Sequence, residues 1–262
     1  MRFDKIFLDK MRSIIRFYEE LIQEYQVEYL HKYRVHLRKI HAYNEIFFQD
    51  IYQIKANSLS KLLKKVIKPS SLLRDLDLFI IEIDSFDVSF ETKERLREIF
   101  QQQREILLNE IKSDAYKKNL YELSEIFSID PLFQSDFDEK KSYEILVTMS
   151  ENLFGAFILL TKETALKDLH KLRIKFKKFR YALELYEEQF YDKSRQMSTM
   201  LDLKELQDLF GIMQDNEVRK TLLESFGNEI DTDEKAILVS SFEINIANAR
   251  EKLMQLKKEC DV

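Results

Sequence analysis

His170, Arg173, Lys177 and Arg180 follow one another at intervals of three, four and three residues, which puts all four side chains on one stripe of an α-helix. No nucleophile paired with a base stands among them. The chemistry such a row can do is to hold an anion: a guanidinium presents five N–H donors, an ammonium three, and a protonated imidazole two. Leu169, Leu172, Phe176, Phe179 and Leu183 form the adjoining stripe, which is wholly apolar. An ordinary amphipathic helix sets its charges opposite its core face, whereas here the cations run along the edge of the buried face, where neighbouring helices crowd them. Cations placed there need a counter-anion. Lys171, Lys175 and Lys178 form a separate row further round the helix and read as solvated lysines.

The element carrying the stripe has a counterpart earlier in the chain. A shift of 139 residues pairs Leu30 with Leu169, His31 with His170, Lys32 with Lys171, Arg34 with Arg173, Lys39 with Lys178 and Glu45 with Glu184. Val35 and Ile174, Leu37 and Phe176, Arg38 and Lys177, and Ile40 and Phe179 keep character without identity, and His41 falls opposite Arg180. The same stripe therefore exists twice. A shift of 140 residues superimposes LLKKVIKPSSLLRDLD from Leu62 on DLKELQDLFGIMQDNE from Asp202, pairing Lys64 with Lys204, Asp75 with Asp215 and Asp77 with Glu217. Two segments repeating at nearly one shift imply duplication of a whole unit. The expected units are residues 1–130 and 140–262, joined by a linker at about 128–142 that carries Pro131, acids and serines.

Three glycines and two prolines in 262 residues leave few of the breakers that a β-rich chain needs at its turns, so the expected class is all-α. Apolar spacing predicts helices at about 4–24, 28–53, up to 68, from 70, across 88–127, and at 143–162, 165–191, 195–210, 215–226 and 231–258. Pro69 and Gly211 mark expected breaks, and Asp75 and Asp215 then read as N-terminal acids that pair with or orient nearby basic residues. Net charge is −5, which alone argues against a polyanion partner. Its distribution argues otherwise: segments 31–41, 61–68 and 167–180 hold +14 together, leaving −19 for the remainder. The single cysteine, Cys260, excludes a disulfide framework, and Met1 leads into charged residues without an apolar core segment, so a cytoplasmic protein without a membrane span is expected.

The motifs LHKYRVHLRKIH (30–41), SSLLRDLDL (70–78), LHKLRIKFKKFRYALEL (169–185) and LKELQDLFGIMQDN (203–216) resemble those of the CHAD family, the conserved histidine alpha-helical domain, over most of the chain. His41 stands where that family often shows an arginine, and Ser71 where it shows a glycine. The resemblance implies one CHAD domain spanning 1–262, built as two pseudo-symmetric four-helix bundles around a basic groove or pore that binds inorganic polyphosphate without catalysis. Carried onto this chain, the phosphate-contacting residues are His31, Arg34, Arg38, His41, Lys64, Lys65, Arg74, His170, Arg173, Lys177, Lys178, Arg180 and Lys204. No cofactor or metal is expected, and polyphosphate granules are a place where such a protein could act.

Other readings compete. Cations beside an apolar stripe can snorkel, but snorkelling does not require the same His-x-x-Arg stripe in both halves. His31 and His170 suit either a buried histidine bonded to a carbonyl or an anion contact. His31, His36 and His41 are five residues apart and diverge around a helix, unlike a metal-binding pair at i and i+4. Some CHAD members are fused to a triphosphatase with an ExExK motif; the near match here, Asp231 to Lys235, reads as the acidic first turn of the last helix. A phosphoryl-transfer enzyme, or its accessory subunit, would need an acidic metal cluster or a Gly-rich phosphate loop. A nucleic-acid-binding module would need aromatics free to stack, whereas Phe176 and Phe179 occupy core positions.

Overall fold

The computed structural model describes residues 3–48, 56–129, 136–190, 203–226 and 229–260. Among them the apolar periodicity becomes nine α-helices: α1 (Phe3–Gln23), α2 (Val27–Tyr43), α3 (Ala56–Glu82), α4 (Phe90–Lys112), α5 (Asp114–Ile129), α6 (Glu139–Ile158), α7 (Leu166–Gln189), α8 (Leu203–Phe226) and α9 (Thr232–Cys260). A π-helical turn, Asn44–Phe48, continues α2. Within this set no helix is long and apolar enough to cross a membrane.

The neighbours of each helix follow the repeat. α1 packs along α2, α2 along α3 and α3 along α4; α6 packs along α7, α7 along α8 and α8 along α9. The halves meet where α2 lies against α7 and α3 against α8, while α5 closes on α1, α3 and α4. Apolar residues do not divide by half. One cluster centres on Leu30, Leu37, Phe176 and Phe210, the other on Phe79 and Phe100 of α3 and α4 with Leu223 and Phe242 of α8 and α9. Each core is therefore completed only by residues more than 100 positions away.

Two expected breaks are absent. α3 runs straight through Pro69, and α8 through Gly211. A proline inside a helix removes one hydrogen bond and presses on a carbonyl, at about 3 kcal/mol. Here Leu63, Val66 and Leu73 on both sides of Pro69 are fully buried, so ending the helix would expose several residues each worth about 1.5–3 kcal/mol. Two carbonyls in the turn before the proline also accept side-chain donors. Ser70 Oγ donates to the Ile67 carbonyl at 2.8 Å, and Tyr116 Oη to that of Val66 at 2.7 Å. Gly211 costs up to about 1 kcal/mol relative to alanine, and the buried Leu206, Phe210 and Met213 around it decide the matter in the same way. Arg74, Asp75 and Asp215 thus lie in helix interiors and not at helix starts, while the acids still stand beside cations, Asp215 3.7 Å from Arg173.

Other boundaries shift less. The helix expected over 28–53 ends at Tyr43 and passes into the π turn; 49–55 lie outside the described residues, as do 130–135 of the expected linker and 191–202 before α8. Residues 88–127 form two helices divided at Ser113, whose hydroxyl donates to the Glu110 carbonyl. At Asp231 the capping interpretation holds: its carboxylate accepts from the backbone N–H groups of Asp233 and Glu234 at 3.0 and 3.1 Å.

Behind α2, Tyr33 Oη donates to Tyr116 Oη at 2.8 Å, because the Tyr116 proton is committed to Val66. Tyr116→Phe leaves both a buried hydroxyl and a carbonyl short of a partner, and should cost about 1–3 kcal/mol, lowering Tm by roughly 2–4 °C per kcal/mol. Tyr33→Phe leaves the Tyr116–Val66 bond intact and should cost less. Thermal unfolding of the two variants orders them; the reverse order would show that the α2–α5 contact, not the Pro69 segment, carries this network.

Candidate anion-binding site

On α2 the fully buried Leu30, Tyr33, Leu37 and Ile40 fix the helix face, and His31, Arg34, Arg38 and His41 follow one position round. Leu169, Leu172, Phe176 and Phe179 do the same on α7 for His170, Arg173, Lys177 and Arg180. Packing of α2 on α7 then puts the stripes within reach of each other. The charge of Arg38 bears on His170, Arg173 and Lys177, and that of Lys177 on His31. Arg74, from α3, bears on His31 and Arg34. Seven of the residues expected from sequence therefore share one electrostatic neighbourhood drawn from three helices: His31, Arg34, Arg38, Arg74, His170, Arg173 and Lys177.

Two carboxylates stand among them. Asp215 Oδ1 lies 3.7 Å from Arg173 Nη2, and Asp75 is opposed by Arg34, Arg38 and Arg173. Five cations thus face two acids. Burial leads every shift in the cluster: it pushes Lys177 down to about 7 and Arg34 to about 10, helped by neighbouring guanidinium groups. His31 and His170 fall below the ordinary imidazole value from burial and then from Arg74 and Arg173 respectively. Asp75 rises, its burial outweighing the pull of the arginines. Arg38 Nη2 donates to Ser71 Oγ at 3.2 Å, yet Arg34 Nε, Arg38 Nε, Arg74 Nη1 and Arg173 Nε are buried without a protein acceptor. A buried N–H left unpaired costs about 1–3 kcal/mol, more when charged.

The other sequence-derived residues fall elsewhere. Lys178 is not a free lysine but half-buried and paired; its Nζ is 2.5 Å from Glu45 on the π turn. The same 139-residue shift relates this pair to Lys39 and Glu184, whose Nζ and Oε2 are 2.8 Å apart across the same interface. Arg180 and His41, at the far end of each stripe, turn toward those acids, Arg180 Nε to Glu184 at 3.3 Å and His41 Nε2 to Glu45 at 3.5 Å. Lys64 is exposed on the α3 face of Ser71 and Asp75, near enough to bear on His41. Lys65 is exposed one position round, toward Lys68 and Leu72. Lys204 is exposed eleven residues before Asp215, about 16 Å along α8.

Sequence reasoning left the clamp acids Glu45 and Glu184 without a role, although their pairing in the repeat, six residues after Lys39 and Lys178, was the available signal. It also passed over Gln214, which hydrogen-bonds His170, and over the buried contact of Tyr25 and Arg104 with Asp77.

The CHAD domain family model matches residues 6–224. The crystal structure of the CHAD domain from the plant Ricinus communis superposes with a TM-score of 0.82 over 99% of this chain and 90% of that one, at 18% identity. At that identity the likeness speaks for the fold. No curated protein matches the sequence.

Lys177 gives the site a pH signature. Its folded value, about 7, lies below that of an unfolded lysine, so between pH 7 and about 10 the unfolded chain binds more protons and stability rises with pH. The slope should approach about 1 kcal/mol per pH unit above pH 7, and Lys177→Met should remove that increment. Tm measured from pH 6.5 to 9 for both proteins tests this; parallel profiles would mean that Lys177 is charged and well solvated.

Proposed function

The chain belongs to the CHAD domain family, and on that premise we propose that it binds inorganic polyphosphate, without catalysis, in a basic groove between its two repeat units. One observation carries the reading: buried guanidinium N–H groups of Arg34, Arg38, Arg74 and Arg173, from three helices, lack a protein acceptor. Phosphate oxygens are acceptors of the right charge and geometry for such donors. A single phosphate would satisfy one or two of these side chains; a chain of phosphates can reach the whole row in both stripes. The reciprocal pairs Lys39–Glu184 and Lys178–Glu45 support a pseudo-twofold relation between the two halves, with the groove along its axis. Lys64, Lys65 and Lys204 then act at the edges, where the polyanion enters and leaves, and polyphosphate granules in the cytoplasm are the proposed place of action.

Nucleic acid fits less well. Phe176, Phe179 and Tyr181, the aromatics nearest the cations, are 1%, 3% and 6% exposed and offer no face to a base. For phosphoryl transfer, the acids closest to the stripe, Asp75 and Asp215, are engaged by arginines rather than free to hold Mg²⁺.

Each charge-assisted hydrogen bond to phosphate is worth roughly 1.5–3 kcal/mol, so Arg34→Ala with Arg173→Ala should lower affinity for long-chain polyphosphate about two to four orders of magnitude. The control is Lys32→Ala with Lys175→Ala, which removes equal charge from the outer faces of the same helices and should cost about tenfold or less. Binding should weaken steeply with salt, and the arginine variant should show a flatter slope. Titrations with polyphosphate, DNA and RNA at matched charge and salt measure all of this; equal losses from both pairs, or preference for nucleic acid, would overturn the groove.

The absence of catalysis has its own check. Polyphosphate incubated with the protein and Mg²⁺ should release no phosphate above background, and sustained turnover would show an active site the reading lacks.

A further inference from the structure

A cleft of about 390 Å³ opens between α7 and α8 at the start of the second stripe. Its apolar walls include Leu169, Phe210 and Met213, and its polar groups are Lys167, His170, Lys171, Gln214 and Glu217. The volume lies in the range of small-ligand sites. One Glu217 carboxylate oxygen and His170 Nδ1 are buried there without a hydrogen-bond partner. In the first half the position equivalent to Glu217 is Asp77, and Asp77 is engaged from within the chain: Tyr25 Oη donates to it, and Arg104 Nε lies 3.4 Å away as an ion pair with its guanidinium 4.3 Å from the centre of the Tyr25 ring. A planar ring and a guanidinium thus fill that slot from within the chain. Under the same shifts Tyr25 corresponds to Thr164, and Arg104 to Glu243 or Ile244, none of which can do so.

We propose that this cleft holds the guanine base of a nucleotide whose phosphates lie on His170, Arg173 and Lys177, an assignment that rests on the phosphate-binding reading of the stripe. Guanine carries two adjacent N–H donors, N1–H and the 2-amino group, on the edge a carboxylate recognises. Adenine offers one such donor beside an acceptor nitrogen. The apolar walls take the faces of the ring, and Gln214 can serve its O6 and N7 edge as donor. An amine or polyamine, the other partner for a buried carboxylate, is opposed by Lys167 and Lys171 at the rim and by Arg173 beyond. His170 stands at the junction, lining the cleft while opening the cationic row.

Calorimetry with GTP, ATP and inorganic tripolyphosphate on the full chain tests the assignment. Tripolyphosphate carries no less charge than GTP, so a guanine preference cannot arise from charge alone. GTP should bind at least roughly tenfold more tightly than either, as expected when buried polar groups are matched rather than left unpaired. Glu217→Gln should erase that advantage and leave tripolyphosphate affinity unchanged, while Arg173→Ala should weaken all three ligands. Equal affinity for GTP and tripolyphosphate, or a GTP preference that survives Glu217→Gln, would overturn the base site while sparing the phosphate site. Failure of both GTP and tripolyphosphate to bind would overturn the two together.

Discussion

Packing α2 on α7 joins the halves of this chain and at the same time forces like charges together. Arg38 bears on Arg173 and Lys177 in a half-buried space, and the displacement of Lys177 to about 7, caused first by burial and then by Arg173 and Arg38, measures the combined strain, on the order of several kcal/mol. The apolar stripe beside each cationic row offsets it. Leu30, Leu37 and Ile40 on one helix and Leu169, Leu172, Phe176 and Phe179 on the other are buried at about 1.5–3 kcal/mol each, so the core tolerates the repulsion. The clamps Lys39–Glu184 and Lys178–Glu45 are partly exposed, and pairs of that kind contribute at most about 1 kcal/mol. Their value lies in register: sliding one helix along the other by a turn would break both pairs.

Asp75 and Asp215 keep the strain within bounds. They lie inside the cationic cluster rather than at helix ends, and two carboxylates against five cations hold the guanidinium groups in place without neutralising them. The remaining positive charge is confined to positions the helices have already fixed. Little side-chain freedom is then left to lose when an anion arrives, which is the condition under which charge-assisted bonds translate into affinity.

Much of this was legible in the sequence because it depends on period and repetition. The helical class and the placing of each cationic row beside an apolar one follow from spacings that tertiary structure had only to preserve. Pro69 and Gly211 were misread for a different reason: local rules price the break at about 1–3 kcal/mol, and Leu63, Val66 and Leu73, or Phe210 and Met213, outweigh it only through contacts from distant helices. Lys178 was misread because its partner sits 133 residues away on a π turn. That turn re-aims Glu45, and nothing in the five residues Asn44–Phe48 signals it locally.

The two stripes are not the same at both ends. Where the halves still agree, at Lys39 and Lys178 and at Glu45 and Glu184, each side chain meets the other half in a reciprocal way. Where they have diverged, the first half is the closed one. Its Asp77 is 3% exposed and sealed by Tyr25 and Arg104, and Arg74 adds a cation where the second half has Gln214. The second half keeps a carboxylate at Glu217 but lacks the groups that would seal it, so its end of the stripe runs into a cleft instead of a packed corner. Sealing one end with protein side chains and leaving the other open gives a pair of otherwise equivalent stripes a direction. A ligand that distinguishes its own two ends has only one way to lie along them.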